Sequence, residues 1–218
     1  MTKKINAFCC WSGGKESALS FYRANKSGVN ISYLVNMVSG NGKYSRTHGI
    51  STHYLKLQSE AMGIPIIQKK TSWQNYENNF KQVILDLKDK GLNLGIFGDI
   101  DLQEHRDWVE MVCRDAGIKP ILPLWKEKRE VLLKEFMRAG FKSVVVATQV
   151  RFLDSKWLGR HIDKEFIQDL KALKTIDLCG EKGEYHTFVY DGPIFQNRIE
   201  FEQGSKTLRD KHWFLEIV

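Results

Sequence analysis

Ser12-Gly13-Gly14-Lys15-Glu16-Ser17 follows directly on the apolar run Ile5–Trp11 and leads into Ser17–Lys26, which has helical spacing. The run reads as a buried first strand, and the six residues after it read as a loop that opens a helix. Two adjacent glycines let a backbone turn sharply and come close to an anion. A helix N-terminus adds free N–H groups and the positive end of the helix dipole. Ser12 and Ser17 contribute hydroxyls, and Lys15 a positive charge. The loop therefore reads as a phosphate cradle. It is not a Walker A loop, which would need glycine at position 9 and serine or threonine at position 16, where this chain has Cys9 and Glu16. It also lacks the third glycine of a dinucleotide fingerprint. A plain glycine turn would account for Gly13 and Gly14, but not for six suitable residues in register.

Outward from this loop, strands and helices alternate. Ile31–Val38, Ile64–Lys70, Leu94–Gly98 and Ile121–Trp125 read as strands. Thr52–Met62, Asn75–Lys90 and Glu104–Ala116 read as helices, closed by Gly63, Gly91 and Gly117. This order predicts a parallel, doubly wound α/β sheet with ligands at the carboxyl ends of its strands. The second half reads differently. Glu127–Ala139 and Lys164–Leu173 are helical, and Phe141–Gln149, Tyr185–Tyr190, Arg198–Glu202 and Trp213–Val218 are strand-like. We therefore expect a nucleotide-binding domain over residues 1–125 and a smaller α+β domain over 126–218.

With 42% hydrophobic and 27% charged residues, the composition is that of a folded globular chain. The net charge of +7 is spread along the chain and permits an anionic partner without demanding one. No stretch approaches the length of a membrane span, and the apolar start is too short for a signal peptide. The four cysteines, Cys9, Cys10, Cys113 and Cys179, contain no C-x-x-C pair, which fits reduced thiols in a cytoplasm.

Two further segments carry candidate chemistry. Gly98-Asp99-Ile100-Asp101-Leu102-Gln103-Glu104-His105-Arg106 follows the fourth strand. Gly98 allows a ligand to approach, and Asp99 or Asp101 suits Mg2+ held through water. Asp101 also fits the N-cap of the next helix, with Glu104 completing a capping box. Arg106 suits a carboxylate or phosphate. His48, in Arg46-Thr47-His48-Gly49, falls at the same sheet edge. Cys179-Gly180-Glu181-Lys182-Gly183-Glu184-Tyr185-His186-Thr187 packs two glutamates, a histidine and two glycines before a strand. Paired carboxylates suit binding a cation or an amine, and removing a proton from a nucleophile. A charged hairpin turn is the simpler alternative.

The loop at 12–17 resembles the signature of the PP-loop ATP pyrophosphatases, Ser-Gly-Gly-x-Asp-Ser, with Glu16 in place of the aspartate. Together with Gly98-Asp99-Ile100 and Gly180-Glu181-Lys182-Gly183-Glu184-Tyr185, it makes nearly the whole chain similar to the diphthine–ammonia ligase family. His186 and Asp191-Gly192-Pro193 look more like its bacterial relatives. The resemblance implies a Rossmann-like (HUP-type) domain and a cytoplasmic, ATP-dependent ligase forming a C–N bond. It implies ATP and Mg2+ as cofactors, with Ser12, Gly13, Gly14, Lys15, Glu16, Ser17, Met37, His48, Gly98 and Asp99 around the nucleotide and Glu16 and Asp99 toward the metal. A substrate carboxylate would be adenylated, Lys15 would stabilise the leaving pyrophosphate, and ammonium would then displace AMP. Glu181, Glu184 or His186 would handle ammonia or its proton, and Asp101, Glu104, Arg106, Cys179, Gly180 and Gly183 would face the substrate. The acceptor would be a protein of the elongation factor 2 type or a small carboxylate, and a homodimer fits. Membrane and nucleic acid are not expected partners. The alternatives are a PP-loop enzyme acting on a tRNA base or another small molecule, or a nucleotide sensor without turnover.

Overall fold

The computed structural model describes residues 6–46 and 48–218, so Ile5 and Thr47 lie outside the described residues. Five parallel strands form the first sheet: β1 (Asn6–Cys10), β2 (Asn30–Val38), β3 (Ile66–Lys70), β4 (Leu94–Ile96) and β5 (Lys119–Ile121), in the order β3-β2-β1-β4-β5. The helices α1 (Lys15–Lys26), α2 (Thr52–Met62), α3 (Tyr76–Asp89) and α4 (Gln103–Ala116) connect them. The buried residues fall in two clusters that contain alternate residues of β1: Ala7 and Cys9 with α1 and α2, and Phe8 with α3 and α4. That alternation is the period of a strand covered on both faces. Gly63 and Gly117 close α2 and α4 in the left-handed conformation, at φ 67° and 64°.

The chain then forms α5 (Arg129–Arg138), β6 (Lys142–Gln149), α6 (Lys164–Ala172), β7 (Tyr185–Asp191), β8 (Gln203–Arg209) and β9 (His212–Ile217). The four strands make an antiparallel sheet in the order β7-β6-β9-β8. Its strand β7 packs directly on the loop after β1. The N–H of Val189 donates to the carbonyl of Gly13 at 2.9 Å. Gln58, fully buried on α2, donates to the carbonyls of Gly13 (3.0 Å) and Val189 (2.7 Å) and accepts from Trp11 Nε1 (2.8 Å). One amide side chain thus ties β1, α2 and β7 together.

Two strand expectations shift. The last parallel strand is Lys119–Ile121 instead of Ile121–Trp125. Pro120 is tolerated because β5 is an edge strand, and Leu124 is buried from a turn. The strand expected at Arg198–Glu202 lies instead at Gln203–Arg209, whose residues are mostly exposed. An edge strand with little buried surface carries no alternation to read.

Candidate active site

In the order β3-β2-β1-β4-β5 the chain leaves β1 in one direction across the sheet and returns at β4. The crevice between their carboxyl ends is where open α/β sheets bind ligands. A cleft of about 660 Å³ opens there, a volume typical of a ligand site. Its floor comes from Ser12, Glu16 and Ser17 on the first loop and from Gly98 and Asp99 after β4. One wall is Val35, Asn36 and Met37 of β2, with Arg46, His48, Trp73 and Tyr76. The opposite wall is Cys179, Gly180, Glu181, Lys182, Gly183, Tyr185 and His186 from the second half.

The first loop is shaped from behind. Gly13 has φ +84°, and a Cβ there would lie 2.7 Å from Leu55 Cδ2 and 2.9 Å from Gln58 Oε1. The backbone N–H of Lys15, in the first turn of α1, donates to Thr187 Oγ1 at 3.1 Å. Gly98 passes so close to α1 that a Cβ would sit 3.2 Å from the Ser17 nitrogen.

The electrostatics set the acid and base forms. Burial, with the Glu16 carboxylate adding to it, pushes the Glu181 carboxyl up to about 7. Burial and then the Lys15 charge hold the His186 imidazole down at about 4. His48, its ring 4.3 Å from that of His186, is also held well below the usual range by burial, then by His186 and Lys15. Both rings are neutral near pH 7. Asp99 faces His105 Nδ1 at 3.2 Å, and this hydrogen bond, against the cost of burial, raises the imidazole's pKa. Cys10 and Cys179 reach the cleft as protonated thiols, because burial is the largest effect on each and raises them.

Models of the diphthamide synthase N-terminal and C-terminal domains match residues 5–120 and 128–218. The chain belongs to the diphthamide synthase family. Its relatives include proteins named diphthine–ammonia ligase. The one from Rattus norvegicus is 23% identical over 95% of this chain and 86% of its own length. The one from Homo sapiens is 24% identical over the same shares. The one from Schizosaccharomyces pombe is 26% identical over 86% of this chain but only 34% of its own length. A solved structure described as a predicted subunit of a tRNA methyltransferase from Methanocaldococcus jannaschii aligns with TM-score 0.44 at 15% identity, covering 84% of this chain and 95% of that one.

In this family member, most of the residues singled out in the sequence line the cleft, but several are placed elsewhere. Lys15 is buried beneath the loop. Its ammonium donates to the Cys179 carbonyl at 2.6 Å, pairs with Glu16 at 2.7 Å and lies 4.3 Å from the centre of the Tyr185 ring. Burial alone would lower its pKa, yet the Glu16 carboxylate beside it, with Tyr185 and Cys179, raises it overall. Lys15 is a charged peg between the two halves and does not line the cleft. Glu184 is also buried, and its carboxylate accepts from the N–H groups of Asp177 (3.1 Å) and Lys182 (2.9 Å). It shapes the loop that presents Glu181.

Asp101 does not cap α4, whose N-cap is Leu102 with no side-chain bond. Its carboxylate is taken by the Arg129 guanidinium, at 2.5 and 2.6 Å. A bidentate ion pair outcompetes a neutral cap bond. Glu104 is exposed on the first turn of α4, and Arg106 pairs with Glu110 at 2.6 Å and lies over Trp125. Neither lines the cleft. Sequence reading missed Asn36, Trp73, Tyr76 and Tyr185 in the cleft. Tyr185 lies within the 179–187 segment but carries no charge to mark it. Asn36, Trp73 and Tyr76 sit in no motif, and only the fold brings the ends of β2 and β3 beside the first loop.

Glu16 and Asp99 are oxygen donors on one cleft floor. Among the described residues no group of three or more histidine, cysteine, aspartate or glutamate side chains gathers to hold a metal. Mg2+ takes one or two carboxylates plus substrate phosphates, so this pair fits it. No helix among the described residues is long and apolar enough to cross a membrane.

Proposed function

We propose that the chain is an ATP-dependent ligase that adenylates a substrate carboxylate, releases pyrophosphate, and forms an amide with ammonia as AMP leaves. The observation that carries this reading is the meeting of two distant segments. The loop 12–17 and the loop 179–186 face each other across one cleft at the switch point of a parallel sheet. Family membership and relatives named diphthine–ammonia ligase support the same chemistry.

In this reading Ser12, Ser17 and the first turn of α1 hold the phosphates. Glu16 and Asp99 would hold Mg2+, which supplies charge neutralisation on the leaving pyrophosphate. Glu181, with its carboxyl poised near 7, accepts a proton from ammonium or from the attacking amine. The neutral ring of His186, which lines the cleft, offers a nitrogen lone pair to orient ammonia. Lys15 and Glu184 act by holding the two loops. Diphthine on elongation factor 2 is the first acceptor to try, and small carboxylates are the second.

The experiment supplies ATP, Mg2+ and 15N-ammonium with diphthine-bearing elongation factor 2 or a carboxylate panel. AMP and pyrophosphate in equal amounts, with 15N in the product amide, are the expected result. A folded protein that binds ATP but gives neither AMP nor pyrophosphate exchange with any acceptor sinks the ligase reading.

A further inference from the structure

With Lys15 committed beneath the loop, the cleft's own cations have to be sought on its other walls. Glu16, Asp99 and Glu181 make the floor and one wall acidic. Lys182 is exposed at the rim, and Arg46 lines the wall built on β2. Arg46 is unlike the other structured arginines of this region. Arg23, Arg106 and Arg129 all have carboxylate partners. Arg46 has no ion pair among the described residues. Its Nε is buried and has no hydrogen-bond partner. Burying a donor without an acceptor is costly, and a donor of a charged group more so.

The surroundings hold Arg46 in place. Its backbone N–H donates to the Met37 carbonyl at 2.9 Å, which anchors it to the end of β2. Its guanidinium carbon lies 4.6 Å from the centre of the Trp73 ring, and Trp73 stacks in turn on Tyr76 at 5.8 Å. Trp73 is 63% exposed and lines the cleft beside Arg46. A second unsatisfied atom sits on the same wall. Asn36 is 4% exposed and its Nδ2 donates to the Trp11 carbonyl at 2.7 Å, which leaves Oδ1 as an acceptor with no partner. An aromatic platform and a planar cation with no carboxylate partner thus line one wall of the cleft.

We infer that Arg46, seated on Trp73, is an oxyanion-binding residue of the cleft. Its ligand is a phosphate oxygen of the nucleotide or the carboxylate of the acceptor, groups that a guanidinium fork grips in the same way. The inference rests on the ligase reading only for the identity of these two sources.

The test is calorimetric titration of the whole chain with Mg2+ present. The variants are Arg46→Gln, which keeps length and loses charge, and Arg46→Lys, which keeps charge and loses the fork. Since Arg46 has no ion pair to break, both should fold, and thermal melts check this. The probes are inorganic pyrophosphate, ATP and adenosine on the free protein, and glutarate on the ATP-saturated protein. Phosphate as the source predicts that Arg46→Gln weakens pyrophosphate and ATP by about tenfold or more with adenosine unchanged, and that Arg46→Lys falls between. A carboxylate source predicts unchanged nucleotide binding and loss of glutarate binding in Arg46→Gln. The inference fails if Arg46→Gln binds every probe as the wild type does, or if the wild type binds neither pyrophosphate nor glutarate. Wild-type protein that binds pyrophosphate through Arg46 but neither ATP nor adenosine would keep the seat and sink the ATP reading. ATP binding and glutarate binding that are both unchanged in Arg46→Gln do the reverse.

Discussion

The hydroxyl of Thr187 accepts the backbone N–H of Lys15 at 3.1 Å, a bond between residues 172 positions apart. It occupies the place of a helix cap, which Gly14 cannot fill with a side chain of its own. The second half of the chain thereby completes the first turn of the helix that carries the candidate phosphate loop.

Thr187→Val keeps the shape of the side chain and removes the acceptor. The buried N–H of Lys15 is then unsatisfied, at a cost of about 1–2 kcal/mol. Urea unfolding should show a lowered midpoint, and Thr187→Ser should recover most of it. An unchanged midpoint in Thr187→Val would mean that the cap is not needed.

Glu181 predicts the pH dependence. Its carboxyl is raised to about 7, so activity that uses the carboxylate as a base rises as pH passes through about 7. Glu181→Gln should remove that inflection along with most of the activity. His186 is held at about 4, so a variant such as His186→Gln should leave the inflection in place in whatever activity remains. Stability carries the opposite sign. The folded state binds this proton more tightly than the unfolded chain, whose carboxyl titrates near 4.5. The contribution is full below that value and is lost as pH rises through about 7. Glu181→Gln should therefore be more stable than wild type at pH 8, with the difference shrinking by pH 5. Thermal melts at both pH values measure this.

Arg129 joins the loop after β4 to the loop before Glu181. It grips Asp101 through both terminal nitrogens and Asp177 through Nε at 2.8 Å. Asp177 in turn accepts from the Cys179 N–H at 2.8 Å. These groups are about a quarter exposed or less, so solvent screening reduces the pair without erasing it. Arg129→Lys retains a charge but cannot span both carboxylates. It should cost about 2 kcal/mol of stability and lower kcat more than it raises the KM for ATP, because the Glu181 loop loosens. Equal kcat in Arg129→Lys would show that the loop needs no such clamp.

Gln58 is expected to be the most sensitive polar position in the core. Gln58→Leu is close in size but strands the Trp11 indole N–H and the Val189 carbonyl, at roughly 1–3 kcal/mol for each unsatisfied group. Chemical denaturation should register a loss of several kcal/mol, larger than for any exposed polar residue of α2. A loss under about 1 kcal/mol would mean water replaces the amide.

How legible the site was depended on how local its signals were. The alternation of strands and helices, the glycine loop at 12–17 and the acidic segment at 179–187 are contiguous patterns, and a chain read alone displays them. Periodicity reports which residues are buried, so it gave the parallel sheet and the helix ends at Gly63 and Gly117. The side-chain assignments inside the motifs depended instead on three-dimensional competition. Lys15 and Glu184 sit in ideal motif positions, yet each is drawn inward. Lys15 is captured by Glu16 and the Cys179 carbonyl, and Glu184 by two backbone N–H groups. Asp101 had a suitable cap position and left it for a cation 28 residues away. Arg46, Asn36 and Trp73 became neighbours only because β2 and β3 end beside the first loop. By itself the sequence determined the layers of the fold and the two segments that carry chemistry. Only the tertiary structure decided which charges in those segments face the cleft, because a buried charge goes to its nearest partner in space, whatever its place in a motif.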